Sequence, residues 1–396
     1  MTSHPSTTQR GTYIGLLASN TILGAAMPML IILGGLAGLM LAPSPALATF
    51  PPSVQTLAGL FATGPFSLLM GRLGRRTGFL IAGGAAVLGG LIGVWALFSG
   101  SFFLLCVAHM ALGAALSGFH YFRFAAAEVV PADWQPVAIS LMLTSGLVAA
   151  VVGPQVFIFA KDLFAPVPLA GAYASISLIA CIGLFPLIFV RIPTATSTTA
   201  QTRPSLASSL TILRRPAVWT AVAVGAVSSG MMVLLMAPTP LAMIECGFTE
   251  GVAGDVIRWH VVAMFAPSFF TGFLIKRFGT APVVRAGLLM LIASAVIAAS
   301  GITGAHFYGS LIILGMGWNF GFIGATNMLA IATKPDERAV VQGANDTLIA
   351  LVSTICAFSS GAIVAEFGWT VLALASLPVL VIALLLPGRV SDAETA

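Results

Sequence analysis

The stretch SLLMGRLGRR, residues 67–76, has a counterpart in GFLIKRFGTA, residues 272–281. Ser67 aligns with Gly272, Arg72 with Arg277 and Gly74 with Gly279 at one offset of 205 residues. A second pair stands near the same offset: VPADWQPVA, containing Pro131, against KPDERAVV, containing Pro335, 204 residues apart. Two independent matches at nearly one spacing imply an internal duplication. Each copy of the first element lies between two long apolar runs, where a glycine behind a basic residue marks a short turn.

The apolar runs set the class. The chain is 58% hydrophobic and only 7% charged over 396 residues, with a mean hydropathy of +1.04. Soluble domains carry about 25% charged residues, so this composition cannot cover a surface in water. A helical span needs about 20 apolar residues. Runs and breakers predict twelve spans, at 11–41, 52–70, 78–98, 101–126, 135–159, 167–190, 217–244, 252–275, 281–301, 304–331, 338–363 and 367–387. The long polar stretch 191–216 is rich in Ser, Thr and Pro and reads as a cytoplasmic linker. It separates an N-terminal six-helix bundle, 1–190, from a C-terminal one, 217–396.

In this topology all seventeen Lys and Arg except Lys161 and Arg258 fall on the side holding both termini. By the positive-inside rule that side is the cytoplasm. The net charge of +5 therefore reports orientation, and no nucleic-acid partner is expected. Ala46-Leu47-Ala48 resembles a signal cleavage site, but the run from Tyr13 to Ala42 is far longer than a signal core. It is expected to stay as the first span. Cys106, Cys181, Cys246 and Cys356 have no CxxC or zinc spacing, so no disulfide framework is expected. Walker, HExxH, GxSxG and dinucleotide motifs are absent, which argues against an enzyme or an ATP-driven pump.

The repeated R-x-G element, the central linker and twelve spans in two parallel halves resemble the major facilitator superfamily. That resemblance implies an all-α membrane transporter of two pseudo-symmetric bundles that rock about a central site. The family usually carries an Asp just before the first Arg of this element; here stand Gly71 and Lys276. Arg72 with Glu128, and Arg277 with Asp336 or Glu337, are the expected substitutes at the cytoplasmic gate.

Function must then come from polar or soft groups in the spans. Met232 and Met236 share one face of the seventh span, and His260 and Met264 share one face of the eighth. Both pairs lie at matched depths, about 12 and 18 Å below the outer boundary at 1.5 Å per residue. Thioether and imidazole donors suit copper, and neutral ligands avoid bare charge in the membrane. The bland alternative is packing: fifteen Met yield roughly half an i,i+4 Met pair by chance, and Met fills cores readily.

MxxxM followed by HxxxM, together with HYFRFAAAEVVP at 120–131, is similar to the CcoA-type bacterial copper importers. The resemblance implies import of copper across the inner membrane for cytochrome oxidase assembly. Copper would be cargo on Met232, Met236, His260 and Met264, not a resident cofactor. Redox-sensitive cysteines are implied as well, Cys246 first among them. Copper ions, the lipid bilayer and copper chaperones are the expected partners of a monomer. His120 and Arg123 are read as cavity or gate residues. Asp346 either pairs with a base such as Arg123 or carries protons. Met27 and Met29 either extend a metal path or pack. His109 and His306 read as incidental groups near span ends. The rival functions are a proton-coupled exporter of drugs or metabolites and a copper-sensing factor that does not transport.

Overall fold

In a bilayer no water satisfies the backbone, so each apolar run must close its own hydrogen bonds as a helix. The computed structural model describes residues 6–131, 134–190, 192, 212–334 and 337–386. Its described part is a set of helices: α1 (Thr7–Leu41), α2 (Pro45–Leu73), α3 (Arg75–Phe98), α4 (Phe102–Ala126), α5 (Gln135–Ala160) and α6 (Ala170–Phe189). There follow α7 (Pro216–Glu245), α8 (Glu250–Phe265 with Ser268–Phe278), α9 (Thr280–Ser300) and α10 (Gly304–Ala332). A last segment, Arg338–Leu384, is split at Gly368 into α11 and α12. Among the described residues this agrees with the expected twelve spans. Residues 191 and 193–211 of the expected linker, and Pro335 and Asp336, lie outside the described residues.

The opening repeat is also a backbone repeat. Gly74 has φ 87° and ψ 155°, and Gly279 has φ 87° and ψ 164°. Each ends one helix and starts the next in a conformation open almost only to glycine. Gly368 takes nearly the same angles, φ 82° and ψ 171°, between α11 and α12. Gly279→Ala is expected to cost about 1–3 kcal/mol, read as a lower unfolding temperature in detergent. Gly71→Ala, inside α2 with nothing near the added carbon, is the control and should change little.

The chain divides into two compact units, 1–199 and 200–396, with the same internal packing. In the first unit α4 packs on α2 and α3, and α3 packs on α6. In the second, α10 packs on α8 and α9, and α9 packs on the α11–α12 segment. Small residues permit close approach, as membrane helices require in the absence of a hydrophobic drive. A Cβ on Gly113 of α4 would fall 2.0 Å from the Gln55 carbonyl oxygen of α2. One on Gly315 of α10 would fall 2.6 Å from the His260 carbonyl oxygen of α8. These glycines play the same part in the two units.

Several spans are broken. α1 breaks at Ala25, α4 at His120 and Tyr121, α7 at Ala237 and Pro238, and α8 bends by 41° at Ala266 and Pro267. Proline lacks the N–H that would continue the ladder, which explains the breaks in α7 and α8.

Candidate functional site

All four expected metal ligands are buried inside the second unit: Met232, Met236, His260 and Met264. His260 has its Nδ1 2.7 Å from the Leu311 carbonyl oxygen of α10, a bond in which the ring N–H donates. Its Nε2 is buried and has no partner. On α7, Ser229 Oγ accepts from the Trp318 indole of α10 at 3.2 Å. Counted outward from that bond at about 1.5 Å per residue, Met236 comes level with His260 and Met232 comes nearer Met264. Apart from the outer ends beside their connecting turn, however, α7 and α8 each pack along α10 rather than along each other. Among the described residues no group of three or more His, Cys, Asp and Glu comes together that could hold a metal.

The wall supplied by α10 carries residues to which sequence reasoning gave no role. The bend in α8 leaves backbone carbonyls without their helical partners, and Asn319 supplies a donor. Its Nδ2 donates to the Met264 carbonyl and to Ser268 Oγ, both at 2.7 Å. Its Oδ1 accepts from Thr271 Oγ1 at 2.8 Å, and Asn319 is buried. Next to it Trp318 stacks on Phe322, centroids 5.0 Å apart and planes 14° apart. Phe265 of α8 meets Trp318 edge-on at 6.4 Å and 75°. All three rings are half-buried. Nearer the outer end, Asp255 pairs with Arg258 and accepts from the Tyr308 hydroxyl at 2.6 Å. This joins α8 to α10 a third time, after the His260–Leu311 bond and the Asn319 bonds.

The first unit corrects the reading of His109. It is fully buried within α4, not an incidental group near a span end. Its Nδ1–H donates to Gln55 Oε1 at 2.8 Å, and the Tyr173 hydroxyl donates to its Nε2 at 2.7 Å. The offset of 205 places His260 on Gln55. Each unit therefore has a buried histidine where its second and fourth helices cross, supplied from opposite sides. His109 has both nitrogens satisfied, whereas His260 has one free. His306 lies in the first turn of α10 and bonds Thr303 Oγ1 at 2.7 Å, a local turn contact.

The gate pairs also differ from expectation. Glu128 bonds Arg75, at 2.6 and 3.2 Å, and not Arg72, which is exposed. The Gly74 turn separates the two arginines and carries Arg75 over the Tyr121 ring at 5.7 Å. Glu337 takes Arg215 at 2.8 Å on both oxygens, so it is not the partner of Arg277. The Arg215 hydrogen bonds hold the Glu337 carboxyl below its ordinary range. Arg277 instead lies over Phe278 at 5.3 Å. Arg123 lies over Phe124 at 4.8 Å, and Asp346 accepts from its neighbour Asn345 at 3.2 Å. His120 is exposed at the break in α4. Met29 is fully buried and Met27 half-buried, just past the break in α1. Burial first, and then Glu245, raise the Cys246 thiol. Such a thiol stays protonated and is a weak nucleophile.

An exposed ion pair stabilises by about 0–1 kcal/mol, so Glu128→Gln is expected to shift thermal stability only slightly. A fall of several degrees would mean that Arg75 and Glu128 do more than close a surface.

No protein-family model matches the chain. It is 37% identical to the riboflavin transporter RfnT of Brucella anthropi over 357 residues, 90% of each chain. It is 31% identical to the uncharacterized MFS-type transporter YddS of Bacillus subtilis, across 91% of this chain and 86% of that one. Among solved structures, the xylose transporter XylE from E. coli, partially occluded and inward open, matches with a TM-score of 0.72 at 13% identity. That match covers 97% and 98% of the two chains. A bacterial homolog of the human lysosomal transporter Spinster, inward-facing and occupied, gives 0.74 at 13% identity, covering 98% of both. Duplicated packing, paired glycine turns and these likenesses agree: the chain belongs to the major facilitator superfamily, as a multi-pass membrane transporter and not an enzyme.

Proposed function

We propose that this chain carries a planar aromatic organic solute of riboflavin's class across a bacterial inner membrane by alternating access, with both termini in the cytoplasm. The observation that carries this reading is the half-buried Trp318, Phe322 and Phe265 set, tied to α7 through Ser229. Flat heterocycles stack on such rings with about 1–3 kcal/mol per base-sized ring. The relative named as a riboflavin transporter supports the same class of solute. Uptake of radiolabelled riboflavin into proteoliposomes tests it. The expected result is saturable uptake that unlabelled riboflavin suppresses; its absence in well-folded protein rules the reading out.

A second reading, copper import, is favoured by one observation: the His260 Nε2 lone pair is unshared, as a metal-binding imidazole requires once its other nitrogen is anchored. Here Met232, Met236 and Met264 supply the sulfurs. Radiolabelled copper uptake would fall at least several-fold in Met232→Leu and His260→Leu. Unchanged uptake in both variants, or none by the wild type, removes this reading.

A further inference from the structure

Between α8 and α9, beside the Gly279 turn, the second unit carries an apolar groove lined by Leu274, Phe278, Pro282, Val283, Ala286 and Phe320. Two exposed arginines each directly precede a lining residue: Arg277 in the last turn of α8 and Arg285 on α9. Neither arginine is in an ion pair among the described residues, and Arg277 lies over the Phe278 ring. The equivalent turn of the first unit is different. There Arg75 is taken by Glu128, and Arg76 Nη2 donates to the Ile188 carbonyl at 2.8 Å.

Helix geometry puts both arginines on one rim. Arg277 precedes the lining residue Phe278, and Arg285 precedes the lining residue Ala286. Each arginine is thus turned about 80° from its helix's i,i+4 groove-lining row, in the same rotational sense. For two helices running in opposite directions, that sense places both on the same edge.

An apolar groove whose edge carries two guanidinium groups with no ion pair among the described residues has a definite chemical complement. The groove accepts a hydrocarbon chain, and guanidinium forks bind phosphate through paired N–H donors. Excess Lys and Arg on this side place the turn at the cytoplasmic leaflet, where anionic lipids collect and basic pockets between spans hold their headgroups. We propose that this groove is a binding site for one anionic phospholipid, its acyl chain along Leu274, Phe278, Pro282 and Ala286 and its phosphate on Arg277 and Arg285.

Native mass spectrometry of the detergent-purified full chain, with phosphatidylglycerol or phosphatidylcholine added, tests the site. The wild type is expected to retain phosphatidylglycerol preferentially. An Arg277→Gln, Arg285→Gln double variant should lose that preference about tenfold or more, the scale of two lost headgroup contacts. Ala286→Phe, which fills the groove while leaving the charges, should also release the lipid. Arg72→Gln, an exposed arginine of the other unit, should leave retention unchanged. Wild-type preference in the double variant or in Ala286→Phe overturns the proposal. Loss in Arg72→Gln as large as in the double variant also overturns it, because general surface charge would then be the cause.

Discussion

Trp318→Ala is expected to raise the half-saturation concentration for riboflavin uptake about 10- to 100-fold, because one stacking ring is worth about 1–3 kcal/mol. The indole is held from both sides: Phe322 lies parallel to it one turn on, and Phe265 meets it edge-on from α8. Its N–H is anchored on Ser229 of α7. Removing the ring takes away a surface shared by α7, α8 and α10. Trp318→Phe keeps an aromatic face and loses only the anchor, so most of the affinity should survive. Kinetics in proteoliposomes, with detergent unfolding curves to confirm an intact fold, separate the two variants. Equal half-saturation values for wild type and Trp318→Ala would remove the aromatic set from solute binding.

Asn319→Leu is expected to lower stability by about 2 kcal/mol. Each membrane-buried side-chain bond contributes about 0.6 kcal/mol on average. A buried group left without a partner adds a desolvation penalty of about 1–3 kcal/mol. The Met264 carbonyl and Ser268 Oγ would both lose the Asn319 amide, while Thr271 keeps its bond to the Pro267 carbonyl at 2.8 Å. Asn327→Leu removes a single bond, to Thr280 Oγ1 at 2.7 Å, and is the natural comparison. Thermal unfolding in detergent should rank Asn319→Leu well below Asn327→Leu. The reverse order would mean that the bend in α8 holds itself without help from α10.

The residues legible in the sequence share a property: each interrupts an apolar background. Arg72, Gly74, Arg277 and Gly279 stand out between greasy runs, so their repeat and their turns could be read without coordinates. Gly279 needs a positive φ that other residues avoid, and no packing detail enters that reasoning. Trp318 and Asn319 were not legible in this way. Each sits inside a long span, and only the proximity of α7 and α8 gives them their partners on other helices. Gln55 and His109 are 54 residues apart and meet only because glycine at position 113 lets α2 touch α4.

By itself the sequence determined the membrane-spanning class, the duplication, the turns and the orientation signal, since these follow from composition and from backbone constraints local in the chain. The tertiary structure alone decided which face of each span turns inward. In lipid, most helices here are apolar on every side, so periodicity does not mark the inner face as it does in water. That decision made α10 the common wall of α7 and α8, chose Arg75 over Arg72 for Glu128, and left His260 with one free nitrogen while His109 has none.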